Sequence, residues 1–164
     1  MYTLYTLMDD RLIEGVTNAV KAVLTDGDIV VSNRYEYQGA AGDLGGMVVG
    51  RWRDEDVVVL VEAKHDMDWY TKKAKNGLKR SQLYWQQLVS DVIVDDDAML
   101  ADYRVLNVSK YKHHKVMFAF GGSKFSEEVA SKFDDVSTPW FRVMANEEKG
   151  TFTASFMEKS KSQN

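Results

Sequence analysis

The sequence predicts an α/β fold, a central mixed β-sheet flanked by helices. Three observations carry that prediction. An amphipathic helical pattern opens the chain, with Leu12, Ile13, Val16, Ala19, Val20, Val23 and Leu24 at three- and four-residue spacing. Two apolar runs follow, Leu44 to Trp52 and Val57 to Lys64, separated by the polar stretch Arg53-Asp54-Glu55-Asp56. A long helical pattern from Tyr70 to about Ile93 then precedes a further apolar run, Val116 to Phe120.

The elements follow in order. Asp9-Asp10 is expected to cap the first helix, which runs to about Thr25 and ends at Asp26-Gly27-Asp28. Ile29 to Val31 and Tyr35 to Tyr37 are strand-like, and Gly39 to Gly42 forms a glycine/alanine break. Leu44 to Trp52 reads as a strand whose Gly45-Gly46 pair marks a bulge or a close backbone approach. Arg53 to Asp56 reads as a hairpin turn. Val57 to Lys64 is apolar at successive positions, as a strand covered on both faces should be. After the 70–93 helix, Asp95 to Val108 is ambiguous between a short helix and a strand. Val116 to Phe120 reads as a buried strand ending at Gly121-Gly122, and Ser126 as the cap of a short helix through Phe133, with Glu127 and Glu128 at its positive end. Trp140 to Ala145 and Thr151 to Phe156 alternate about the turn Asn146 to Gly150, which predicts a terminal hairpin.

The 164 residues suit a single domain, expected over 1–157 with 158–164 as a disordered tail. The apolar fraction of 45% and charged fraction of 28% are those of a globular protein. Absence of cysteine excludes disulfides and thiolate zinc sites and fits an intracellular location, with cytoplasm and nucleus not distinguished. The N-terminus lacks the pattern of a signal peptide, and no apolar run approaches the ~20 residues that span a bilayer, so no membrane association is expected. A net charge of −4 argues against nonspecific nucleic-acid binding by the whole surface, leaving room for a local basic groove.

The chemistry gathers at two places in the paired apolar runs. The second run ends in Glu62-Ala63-Lys64, and Asp43 opens the first. Residues i and i+2 of a strand share a face, so Glu62 and Lys64 project together. If the two runs pair antiparallel about the 53–56 turn, Asp43 meets them at one rim of the sheet. Two carboxylates and the Ala63 carbonyl form a hard-oxygen set suited to Mg2+, with Mn2+ as a substitute. A metal so held lowers the pKa of bound water and neutralises charge on a phosphodiester transition state, while Lys64 orients the water or binds the phosphate. Asp43, Glu62 and Lys64 are therefore the candidate catalytic residues. Glu147-Glu148-Lys149 repeats the acid–lysine spacing, but in a hairpin turn with no apolar strand before it, and is expected to be solvated.

On the 70–93 helix a core face of Ala74, Leu78, Ser81, Trp85, Leu88 and Val92 is bordered by Lys75, Lys79, Gln82 and Gln86, the candidate nucleic-acid-binding stripe. Lys72, Lys73 and Arg80 add positive charge to this helix.

Asp43 followed by Glu62-Ala63-Lys64, with a helix before and a helix after, resembles the PD-(D/E)xK nuclease superfamily over roughly residues 9 to 93. The resemblance implies a restriction-endonuclease-like fold and a metal-dependent nuclease, acting on DNA rather than RNA, with Asp43, Glu62 and Lys64 at the positions of the family's aspartate, glutamate and lysine. Gly42 stands where the family's eponymous proline would be. It also implies a metal-shell acid from the first helix, for which Glu14 is the candidate, with Glu36 a competing third acid. A lysine or glutamine near the scissile phosphate is implied as well, for which Lys79 and Gln82 are the candidates. Single-domain members commonly pair, so a homodimer is a possible assembly, and Trp140 and Phe152 of the terminal hairpin are expected to be exposed aromatics available to it. The alternative reading is a catalytically inactive module of the same fold that binds nucleic acid or a protein partner.

Overall fold

A computed structural model describes residues 3–31, 38–39, 42–43, 45–69, 111, 113–132 and 139–158. The 70–93 helix with its stripe, the 35–37 strand, Glu36, all of 95–108 and the tail from 159 lie outside the described residues.

The described part is an α/β structure with a six-stranded mixed sheet. Helix α1 spans Thr3–Val23. Strands β1 (Thr25–Val31), β4 (Gly46–Trp52), β5 (Glu55–Ala63), β6 (Lys115–Gly122), β7 (Trp140–Asn146) and β8 (Thr151–Met157) lie in that spatial order. Two two-residue strands, β2 (Gln38–Gly39) and β3 (Gly42–Asp43), form a separate ladder. Helix α2 spans Glu127–Lys132. Pairing is antiparallel for β1–β4, β4–β5 and β7–β8, and parallel for β5–β6 and β6–β7.

Local chemistry accounts for most boundaries. Helix α1 starts six residues before Asp9, so Asp9 and Asp10 lie within it instead of capping it. No glycine or proline interrupts Thr3 to Glu14, and Leu4, Met8 and Leu12 continue the helical spacing backwards. Asp26-Gly27-Asp28 does not sit between elements but inside β1, at an irregularity where Asp26 takes φ 54°. The predicted four-residue turn is a two-residue one: Arg53 (φ 52°) and Asp54 (φ 66°) both adopt the left-handed backbone of a type I′ hairpin, and Glu55 and Asp56 belong to β5. Ser126 caps α2 as expected, its Oγ accepting the Val129 N–H at 3.2 Å.

The sheet curls round α1. Its concave face takes Val57, Val59, Val61 and Ala63 of β5 with Leu12, Ile13, Val16 and Val20 of the helix. Trp52 of β4 packs edge-on against Phe141 of β7 with ring centroids 5.0 Å apart, although β5 and β6 lie between them. In a flat sheet three strand spacings would separate them by roughly 14 Å. Arg53 also reaches Glu158 beyond β8, at 2.6 Å. The convex face buries Val58 and Leu60 with Met67, Tyr111, Phe118, Phe120, Phe125, Val129, Ala130 and Trp140. Met67 and Tyr111, which flank the β5–β6 connection, and Val129 and Ala130 of α2, between β6 and β7, belong to this convex cluster.

The terminal hairpin does not expose the aromatics expected of it. Trp140 is buried in the convex core, and Phe152 packs its ring against Gly15 of α1. The large apolar side chain that is exposed among the described residues is Trp69.

Candidate functional site

The alternation of β5 sets the site. Odd-numbered residues 57 to 63 face α1, and Val58 and Leu60 face the convex core. Glu62 continues the even-numbered face at the carboxyl end of the strand, beside Phe120 of β6. Lys64 follows the last residue of the strand, and its N–H donates to Gly121 O at 3.0 Å, continuing the β5–β6 ladder by one bond. Both side chains are half-buried. Glu62 Oε1 accepts the Ala63 N–H at 3.1 Å, so the carboxylate folds back along its own strand.

The antiparallel pairing of β4 with β5 is present, in the register Gly46↔Val61 through Trp52↔Glu55. The first strand starts at Gly46, not at Leu44. Continued outward, the same register would set Gly45 opposite Glu62 and Asp43 opposite Lys64. Gly45 does remain against β5: a Cβ there would stand 2.7 Å from Val61 O and 3.8 Å from Glu62 Cα. That close approach is one only glycine can make. Asp43, however, belongs to a different ladder, paired with Gln38. Its backbone is two residues from Gly45, a chain length of about 7 Å at most.

Backbone geometry adds a donor at this rim. The Lys64 amide faces β6, so the Ala63 amide, one residue earlier, faces the other way. Its carbonyl therefore points to the β4 side, where the ladder has already ended at Gly46↔Val61. Glu62 carboxylate and Ala63 carbonyl are both hard oxygens, the donor type that Mg2+ selects.

The structure does not bring Glu14 to Glu62. Glu14 is exposed on α1, which covers the concave face, whereas Glu62 belongs to the convex one. Glu36, Lys75, Lys79, Gln82 and Gln86 lie outside the described residues. Among the described residues no three His, Asp or Glu side chains group as a metal-binding cluster. His113 and His114 precede β6 at the opposite end of the sheet, where His114 packs edge-on against Tyr111.

Two arrangements at this end of the sheet escaped the sequence. His65 Nδ1 lies 2.5 Å from Glu147 Oε1, so the glutamate of the second acid–lysine stretch is partnered, although its turn is where the sequence placed it. The two residues line a cleft of about 330 Å³ together with Arg11, Leu12, Asn146, Gly150 and Phe152. Nothing in the linear pattern links positions 82 residues apart. Arg142 is the second, its side chain only 11% exposed. It donates to Phe125 O, pairs with Glu127 at 2.7 Å and lies over the Phe125 ring, which anchors α2 to β7. This one was readable: alternation in Trp140-Phe141-Arg142-Val143-Met144 places the arginine on the face of Trp140 and Met144.

No family model matches this chain, and no curated protein or solved structure matches it either.

Proposed function

We propose that the chain is a metal-dependent nuclease of PD-(D/E)xK type with a restriction-endonuclease-like fold, hydrolysing phosphodiester bonds in DNA in preference to RNA. The observation that carries this reading is the grouping at the carboxyl end of β5. Glu62 and Lys64 stand two residues apart at that strand end, the Ala63 carbonyl points to the β4 side beyond the Gly46↔Val61 pair, and the chain from Gly45 leads to Asp43 within about 7 Å. The carboxyl ends of parallel strands are also where open α/β sheets bind ligands. The element order supports the reading as well, with α1 before the β1–β4–β5 meander and β6 parallel to β5 after a crossover.

In this reading Glu62, the Ala63 carbonyl and Asp43 hold Mg2+, or Mn2+ in its place. The bound ion supplies an activated water and neutralises charge on the phosphoryl group. Lys64, two residues on from Glu62, donates to the scissile phosphate or to the attacking water. The stripe Lys75, Lys79, Gln82 and Gln86 guides the nucleic-acid backbone. Glu14 is the weaker choice for a third acid, because α1 lies across the sheet from Glu62. The test is Mg2+- or Mn2+-dependent cleavage of single- and double-stranded DNA and of RNA by wild type and Lys64→Ala. Equal rates in the two proteins would remove Lys64 from the chemistry.

A second reading, an inactive module that binds nucleic acid or a protein, is favoured by the net charge of −4 and by the lack of a three-residue metal cluster among the described residues. Calorimetry with Mn2+ separates the two, since the inactive module takes up no ion.

A further inference from the structure

The two edges of the six-stranded sheet are built differently. β1 carries Asp26 and Asp28, takes a left-handed residue at Asp26 (φ 54°) and shifts register twice along β4. Charges and irregularities of this kind keep an edge from pairing with another chain. β8 has neither. Thr151–Met157 holds no charged residue, no proline and no glycine, and it pairs with β7 from Met157 to Thr151 without a register shift. Its two threonines and two phenylalanines favour extended backbone.

Hydrogen-bond direction identifies the groups that β8 turns outward. The Phe118 N–H donates to Pro139 O at 3.3 Å in the parallel register Phe118↔Trp140, so β7 turns the backbone groups of its even-numbered residues to β8. These are Trp140, Arg142, Met144 and Asn146, opposite Met157, Ser155, Thr153 and Thr151. Phe152, Ala154 and Phe156 therefore point their N–H and C=O groups away from β7. Among the described residues no hydrogen bond reaches these groups, and no strand lies beyond β8. Their side chains pack toward α1, whereas Thr151, Thr153 and Ser155 are exposed on the opposite face.

We infer that β8 is an interface between two copies of this chain, which pair antiparallel along it about a two-fold axis at Ala154. In this register Ala154 meets Ala154 of the second copy and Phe152 meets Phe156 of the second copy, so every outward N–H and C=O of the strand finds a partner. An axis at Phe152 or Phe156 would leave the other end of the strand unpaired. Thr153 stands opposite Ser155 and Thr151 opposite Met157, and because the strand is uncharged no charge meets its own kind. That self-match selects a second copy over an unrelated strand. A contact confined to one strand edge belongs with the small, dissociable interfaces. The pairing is independent of the nuclease reading.

Sedimentation velocity of the full chain tests the pairing. Wild type is expected to run mostly as a dimer at about 100 μM and mostly as a monomer at about 1 μM. Ala154→Pro removes the central outward N–H and no bond to β7, at a position where an edge strand tolerates proline. It is expected to be monomeric at about 100 μM with the circular dichroism of the wild type. Thr153→Glu with Ser155→Glu, at side chains that are already exposed, sets carboxylates directly opposite each other across the axis and also gives a monomer. This second variant decides the matter if the proline variant fails to fold. Mixing it with Thr153→Lys/Ser155→Lys restores a dimer, because opposite charges then face each other. A wild type that is monomeric at about 100 μM overturns the inference. So does a dimer that persists in either folded variant, which would place the contact elsewhere.

Discussion

Glu62-Ala63-Lys64 and Glu147-Glu148-Lys149 spell the same pattern at two ends of two hairpins. The first closes β5, a strand whose residues 57 to 61 are buried on both faces, and its acid and lysine emerge half-buried where that core gives out. The second forms the tip of the β7–β8 hairpin, exposed throughout, and β8 behind it alternates between exposed and half-buried positions. The difference lies in what stands behind the three residues. Buried strands fix Glu62 at the end of a core strand with Lys64 half-buried beside it, whereas a turn leaves Lys149 to solvent. The second stretch is not idle, since its Glu147 holds His65, the residue after Lys64.

The comparison can be broken most directly by substituting each lysine. Lys64→Ala lowers metal-dependent cleavage by about 100-fold or more, as loss of one aimed donor does, while Lys149→Ala leaves the rate within about twofold. Equal losses would end the distinction between the two stretches. The strands behind them differ next. Leu60→Ala in β5 costs about 2–5 kcal/mol in urea unfolding because it opens a cavity at a 3% exposed site. Thr153→Ala on the exposed side of β8 changes stability by about 0.5 kcal/mol or less. Gly15→Ala sharpens the second hairpin's dependence on α1. In an exposed helix this change stabilises by up to about 1 kcal/mol, but here the new methyl meets the Phe152 ring, and a net loss of about 1–3 kcal/mol is expected. The smallest effect is in the turns. Asp54→Gly relieves a left-handed backbone at φ 66° and gains about 0.5 kcal/mol by thermal unfolding, while Gly150→Ala, at φ 64°, loses about 1 kcal/mol.

Much of the fold was legible because it follows from periodicity. Residues Leu12 to Leu24 gave the buried stripe of α1, and Val57 to Ala63 gave a strand covered on both faces, since burial on both sides leaves no polar alternation to read. The turn chemistry was less legible: Arg53 and Asp54 are not the glycine or asparagine that mark a type I′ hairpin, so the turn read two residues too long. The start of α1 was missed because two aspartates in a row look like a cap whether or not the helix has already begun. At the site, the even-numbered face of Glu62 followed from strand alternation, whereas Lys64 falls just past the end of β5. Asp43 was expected to continue the strand that pairs with β5, whereas it pairs with Gln38 in a separate ladder and the β4–β5 register begins at Gly46. The curl of the sheet, which brings Trp52 to Phe141, and the His65–Glu147 pair depend on three-dimensional closure between segments that no local pattern joins.

The central claim is that the carboxyl end of β5 holds a divalent cation, and a calorimetric Mn2+ titration tests it most directly. The account predicts one binding event in the wild type, lost in Glu62→Gln and retained in Glu147→Gln. Absence of binding in the wild type, or binding that survives Glu62→Gln, would contradict it.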